Sequence, residues 1–517
     1  MEENDSEATI SDGEGVIISS ELDESDSELV VEDWSNRTRT QKTLALTDFE
    51  RDFVHMHLAG KFSEAQGDMI IELVRKYNSS IKSRKPKALV NHLVNVSVDH
   101  YHYVECDCGS ILKKVSNKFF CLKCQKHPNV NALANYVAMN VEEQLKMVSK
   151  QFPQLFENNS SNELTLQLII ACDEIPISKS SNLELLPVLL YIENIRNLNL
   201  RNKCYMVAAI ALLNKKEKEV KYNTNLLLQT FHKEFHQINT NGIETHWSKC
   251  TKLEVSAFIG DNPCRSKFLN IQQHNGRYPC HRCYIMKPVK ENLPVYRYDE
   301  LRLKSHELAN RHVSSIEHLR RTTTSGKRIE HEMGFKGKTL LSEFNNFDYI
   351  NGSVVEIMHC LFLGVVKNSL KVFVKDGMQE VKKLQIDKRI SMLKPPSNSK
   401  RSIRPLTEFA HYKSAEFEMI FFYYGYFMFK DIMTNDQFNL FMFLSSATFK
   451  LWSRKSTLND IENSKVELDH FMSIFKRKIS QAVIPFDLQT YNLHALLHLH
   501  EDRLKYGPLC NINAYGY

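Results

Sequence analysis

Four apolar runs of strand length stand out between residues 164 and 261: LTLQLIIACD from Leu164, LELLPVLLYIENI from Leu183, KCYMVAAIALL from Lys203 and KLEVSAFIGD from Lys252. Runs of this length, bounded by polar residues, Gly and Asp, suit strands buried in a sheet. Between the third and fourth, the stretch Asn223–Ile238 carries a helical pattern. From Gln272 onward the pattern is mainly helical with loops, and the basic Pro/Ser stretch Lys394–Pro405 reads as a linker within it. Upstream, two helical stretches are expected at Thr47–Ala59 and Ser63–Tyr77. In the first, Phe49, Phe53, Met56 and Leu58 form an apolar face and Thr47 or Asp48 supplies a cap. A basic linker, Lys82–Lys87, follows, and no repeat of 20–50 residues is visible.

The order of three strands, a helix and a fourth strand is the opening of an RNase H-like α/β fold. The expected architecture is therefore an RNase H-like core over 160–265, interrupted by a large, mostly helical insertion over 266–517. A helical segment over 41–100 and a small zinc-binding module over 101–130 precede it. Residues 1–40 are acidic and Ser-rich, with too little apolar area to offset the entropy of ordering, and are expected to be disordered.

Charge changes this picture in one respect. The 517 residues have 67 Lys and Arg against 61 Asp and Glu, a net charge of +6. Thirteen of the acids lie within the first 33 residues, which hold no Lys or Arg, so the rest carries 48 acids against 67 bases, a surplus of 19. A body this basic suits a polyanionic partner, because cations placed near phosphates release condensed counterions; a well-solvated surface is the plainer alternative. The chain opens with no basic-then-apolar leader, and its longest apolar run, near Met419–Phe429, is too short to cross a bilayer. A soluble, intracellular protein is expected, in which the twelve cysteines serve as metal ligands or reduced core thiols.

Two cysteine groups carry candidate chemistry. Cys106-x-Cys108 and Cys121-x-x-Cys124 are separated by twelve residues, a spacing that suits a tetrahedral Zn²⁺ knuckle. Because the first pair is tighter than C-x-x-C, His127 or His102 is an alternative fourth ligand. Cys280-x-x-Cys283 is either a redox-active pair or half of a zinc site that needs two more ligands. His494 and His498, four apart on an expected helix, offer them as a structural Cys₂His₂ centre; two core histidines are the plainer reading. Finally, Asp173 and Asp261 each end an apolar run. Alone, such an Asp caps a helix or forms a turn; as a pair on neighbouring strands they suit two divalent cations acting on a phosphodiester.

An ordered series of blocks from about residue 100 to the end resembles the catalytic region of CACTA (En/Spm)-type DDE transposases, of the CACTA–Mirage–Chapaev group. After the first cysteine pairs come Asp173-Glu-Ile-Pro-Ile-Ser-Lys179-Ser-Ser with Pro187, then Gly260-Asp261-Asn-Pro263, His274-Asn-Gly276 and Cys280-x-x-Cys283. Gly334-Phe-Lys-Gly337, Glu356-Ile-Met358-His359-Cys360, Gly364-Val-Val-Lys367, Lys413-Ser-Ala-Glu416, Asn492-Leu-His494 with His498, and Gly507-Pro508-Leu509 complete it. The resemblance implies an RNase H-like fold in which two Asp and one Glu bind Mg²⁺ or Mn²⁺ and cleave DNA at the element's ends. It also implies a nuclear location and a homo-oligomer assembled on DNA, and it puts Asp173 and Asp261 on the two Asp positions. The third acid is expected a few residues beyond Leu509, and the chain ends at Tyr517 short of it. Neither Glu501, Asp502 nor Glu356 falls on that position. Cys510 stands where the family has Trp, and Glu356 where it has Asp. A domesticated protein that binds DNA and zinc without cutting is the alternative, and a zinc-dependent interaction module with an acidic tail is a third.

Overall fold

The computed structural model describes residues 135–156, 163–176, 183–195, 204–214, 224–286, 302–322, 330–394, 402–485 and 488–513, with short pieces at 100–104, 113–115, 118–122 and 124–125. The acidic tail, the helices expected before residue 100, the linker Lys82–Lys87, Cys106 and Cys108 lie outside them.

The described chain is a mixed α/β structure. Its main sheet runs in the order β1-β4-β8-β7-β5-β10-β9, with β6 paired to β7. Six strands are of five residues or more: β1 (His100–Val104), β4 (Asn135–Met139), β5 (Glu163–Cys172), β7 (Leu183–Ile192), β8 (Tyr205–Asn214) and β10 (Lys249–Gly260). β6 (Ile175–Pro176) and β9 (Ile243–Glu244) are two-residue pieces. The four apolar runs thus become β5, β7, β8 and β10. β5, β7 and β8 form an antiparallel meander. The helix α2 (Thr224–Asn241) then carries the chain across to β10, which lies parallel to β5.

Two strands before residue 160 also join this sheet. β1 pairs antiparallel with β4, and β4 with the edge of β8. A separate hairpin, β2 (Lys113–Val115) with β3 (Lys118–Phe120), sits between them in sequence and leads into Cys121. The cysteine module is therefore inserted between two strands of the main sheet.

Alternation along the strands sorts the core into two layers. On β5, Leu164, Leu166, Leu168, Ile170 and Cys172 pack with α1 (Val141–Gln151), α2 and α3 (Asn262–Phe268). Ile169 and Ala171 of β5, with Ala257 and Ile259 of β10, face the opposite layer, built largely from residues 354–512. A bulge between Val255 and Ala257 resets the alternation of β10 so that its end matches that of β5. This second layer contains a helical run of Met358–Val366, Lys367–Leu370 and Lys371–Asp376, π-wound at both ends. The long helices Asn435–Trp452 and Leu458–Ser480 pack in it, each opened by a Thr in a capping box. Among the described residues no helix is long and apolar enough to cross a membrane.

Candidate metal centre and acidic edge

Two sites sit on the helical side of the sheet. The first is the group Cys280, Cys283, His494 and His498, whose ligand atoms all lie within 4.8 Å of one another. Cys280 and Cys283 flank two residues of a loop after α3. The short bridge Cys283–Leu303 and a bond from the Lys304 backbone N–H to the Arg282 carbonyl (2.7 Å) hold this loop. The histidines come from a helix capped by Thr490, Tyr491–Ala495. This helix tightens into a 3₁₀ turn at Leu496–His498, so the two rings are not stacked on one uninterrupted α-helix. The tightening leaves them 5.2 Å apart, edge to face.

The donor set fits a tetrahedral zinc ion. Cys280 Sγ lies 3.4 Å from His498 Nε2 and Cys283 Sγ lies 3.3 Å from His494 Nε2. The ordinary Zn–S and Zn–N lengths require S···N edges of roughly 3.5 Å. All four residues are buried, at 2% exposure or less, so the two thiols and two imidazoles face one another and not bulk solvent. Burial pushes the Cys280 thiol up, but Cys283 and the two histidines outweigh it and hold Cys280 well below the ordinary thiol range. The hydrogen bond from Cys283 to Cys280, together with burial, raises Cys283. One of the two sulfurs is thus already disposed to be a thiolate, the form that binds metal. Burial lowers His494, which favours the neutral imidazole a metal needs. The Lys304 ammonium, buried and brought down to about 8, donates to the Cys280 carbonyl at 2.8 Å beside the two sulfurs.

Of the first cysteine group, Cys121 is buried and Cys124 half-buried, and the Cys124 N–H donates to Cys121 Sγ at 3.3 Å. The other pair of that group lies outside the described residues.

The second site is an acidic edge. Gly260 of β10 pairs with Cys172 of β5, so Asp261 and Asp173 each follow the last paired residue of adjacent parallel strands. Asp173 continues the row of Ile169 and Ala171, and Asp261 the row of Ala257 and Ile259, toward the helical layer. Asp261 also caps α3, accepting the Cys264 N–H at 2.8 Å. The helix-cap role and the place on the acidic edge therefore coexist in one residue.

A third segment joins this edge from far along the chain. Phe258 of β10 pairs in parallel with Ser353 through two bonds, Phe258 N–H to Gly352 O (2.7 Å) and Val354 N–H to Phe258 O (3.1 Å). Three residues on from the two partners stand Asp261 and Glu356, and the charge of Glu356 acts on Asp173 together with that of Asp261. The buried Glu356 carboxylate accepts the N–H groups of Met358 (3.0 Å) and His359 (2.7 Å) and lies 2.7 Å from His359 Nδ1. The sheet thus takes a partner from beyond residue 266, and Glu356 belongs to the same edge as the two aspartates. Its signal in the sequence is Val354-Val355-Glu356, a miniature of the apolar-run-then-acid pattern, too short to stand out. Burial raises the carboxyl of Asp173, and the charges of Asp261 and Glu356 add to this against the lowering effect of His359. Burial lowers His359, but Glu356, Asp173 and Asp261 overcome it and raise it. The acidic edge is looser than the cysteine–histidine group, which among the described residues is the one set of three or more such donors within 4.8 Å.

No protein-family model matches the chain, and no curated protein matches it.

Proposed function

We propose that the chain is the core of a metal-dependent DNA strand-cleaving and strand-transferring enzyme of the CACTA transposase type, with Asp173 and Asp261 as cation ligands. The observation that carries this reading is the register of β5 and β10, which brings two carboxylates to the carboxyl ends of adjacent parallel strands on one row. The strand order β8-β7-β5-β10, with 352–354 beside β10, supports an RNase H-like core interrupted by a helical insertion. Burial and the two like charges of Asp261 and Glu356 raise the Asp173 carboxyl against the opposing effect of His359, a cost to its charged form that a bound cation would offset.

Mg²⁺ or Mn²⁺ bound there would supply activation of a water or 3′-hydroxyl and stabilisation of the leaving oxygen of a phosphodiester. The protein's own contribution is placement. β5 and β10 fix the two carboxylates, and the α3 amide bonded to Asp261 limits that side chain's rotation. The basic surplus of 19 outside the first 33 residues suits the DNA backbone. The same reading implies work in the nucleus on transposon ends, by more than one copy of the chain.

Nicking of supercoiled plasmid in Mn²⁺ tests the reading. With Glu356 of the same edge standing in for the third acid expected beyond Leu509, the chain is expected to nick, and Asp173→Asn and Asp261→Asn to lose nicking while retaining DNA binding in a gel-shift assay. Nicking that survives both substitutions overturns the assignment. Binding without nicking by the unaltered chain leaves the non-cutting, DNA-binding alternative.

A further inference from the structure

A buried ion pair that neither site uses for chemistry joins the two. Arg282 stands between Cys280 and Cys283, and its side chain is 4% exposed; Asp502, 1% exposed, is its partner. Both reach the segment that leads to Glu356. Arg282 Nη2 donates to the Ser353 carbonyl at 2.8 Å, and His281 Nε2 lies 3.1 Å from the same oxygen. Asp502 Oδ2 accepts the Val355 N–H at 2.9 Å. Arg282 Nη1 donates to the carbonyl of His498, itself a ligand candidate, at 3.1 Å.

The pattern follows from strand geometry. Residues 352 and 354 turn their backbone groups toward β10, so Ser353 O and Val355 N–H point the other way. On that side the Arg282–Asp502 pair fills the place of a neighbouring strand, one partner donating and the other accepting. A guanidinium offers a rigid fork of donors and a carboxylate two acceptors, so the pair can bond each other and the strand at once. Unpaired, these backbone groups and charges would be costly at this depth. A second tie runs to the other acid: Asn262, next to Asp261, donates through Nδ2 to Asn492 Oδ1 at 2.8 Å, two residues before His494.

We propose that Arg282 and Asp502 are positioning residues that make cation binding at the acidic edge depend on the cysteine–histidine centre. Zinc there fixes residues 280–283 and 494–498; the ion pair passes that order to Ser353 and Val355, and so holds Glu356 at the acidic edge. This rests on the reading of Asp173 and Asp261 as cation ligands. The coupling is reciprocal, so a cation at the edge also tightens zinc.

The experiment uses the full chain, with zinc content read by elemental analysis and Mn²⁺ binding by the paramagnetic resonance of the free ion. Asp502→Asn, which keeps an acceptor for Val355 but not the charge, is expected to keep its zinc. Its Mn²⁺ affinity is expected to fall by about tenfold or more, as for other groups that orient metal ligands. If Asp502→Asn fails to fold, Arg282→Lys, which keeps the charge and loses the fork, is expected to behave the same way. Unchanged Mn²⁺ affinity in a folded, zinc-loaded variant overturns the coupling. Mn²⁺ binding by the unaltered chain that ignores Asp173→Asn overturns instead the reading on which it rests. Hydrogen exchange decides the clamp without Mn²⁺: chelating zinc should speed exchange of the Val355 amide, and no change refutes it.

Discussion

Glu234 gives a stability prediction with a definite sign. This residue of α2 turns its carboxylate to the start of α1, where Oε1 accepts the Glu142 N–H at 2.7 Å. Such an acceptor favours the charged form, and so does the partial positive charge at a helix start. Burial nevertheless outweighs the α1 amides, and the nearby Glu142 and Glu143 add to it, so the carboxyl is raised from 4.5 to about 7. The folded state then binds its proton more tightly than the unfolded chain does. Stability from this group is complete below pH 4.5, falls as pH rises, and is gone above about 7. A shift of this size is worth about 3 kcal/mol at most. Glu234→Gln keeps an acceptor for the α1 amide and removes the titration. Urea unfolding of both proteins from pH 4 to 8 provides the assay. The native protein should lose up to about 3 kcal/mol relative to the variant across that window, with flat difference curves outside it. A flat difference throughout, or a native protein that gains on the variant as pH rises, refutes the reasoning. The second result would mean that the helix amides win over burial.

Other positions give equally definite outcomes. Cys283→Ser removes one of four buried donors and is expected to abolish zinc retention at the Cys₂His₂ centre in elemental analysis, with a fall in thermal stability. A Cβ at Gly364 would collide with Asn492 Nδ2 and sit 2.9 Å from the His359 carbonyl. Gly364→Ala is therefore expected to cost about 1–3 kcal/mol in denaturant unfolding, by pushing the Met358–Val366 helix off the histidine helix. Phe362, fully buried against Phe422 and Trp452, is expected to cost about 3–5 kcal/mol when cut to Ala.

What could be read in the sequence divides by the range of the signal. Strands β5, β7, β8 and β10 are ten to twelve residues long, and each holds an apolar run or a regular apolar–polar alternation, so each announces itself without help from a partner. The cysteine–histidine centre was legible because each half has its own spacing, two residues between thiols and three between imidazoles. The short strands β1 and β4 were not, because five residues beside a cysteine module carry little period and their role is set by pairing with β8. In the sequence Glu356 reads as part of the Met-His block and away from the site, because its position depends on a single bridge, Phe258 to Ser353, made across 95 residues of chain. The Arg282–Asp502 pair was equally invisible, since two charged residues 220 apart give no local pattern. The expectation of one regular helix carrying both histidines missed the 3₁₀ turn at Leu496–His498, for which composition gives no breaker.

The central claim is that the carboxyl ends of β5 and β10 form a divalent cation site. Crystals soaked in Mn²⁺, with diffraction recorded at the manganese absorption edge, test it most directly. The account predicts an anomalous peak in contact with both Asp173 and Asp261, lost in Asp261→Asn. Well-ordered carboxylates with no peak between them, or a manganese peak only elsewhere in the molecule, would contradict it.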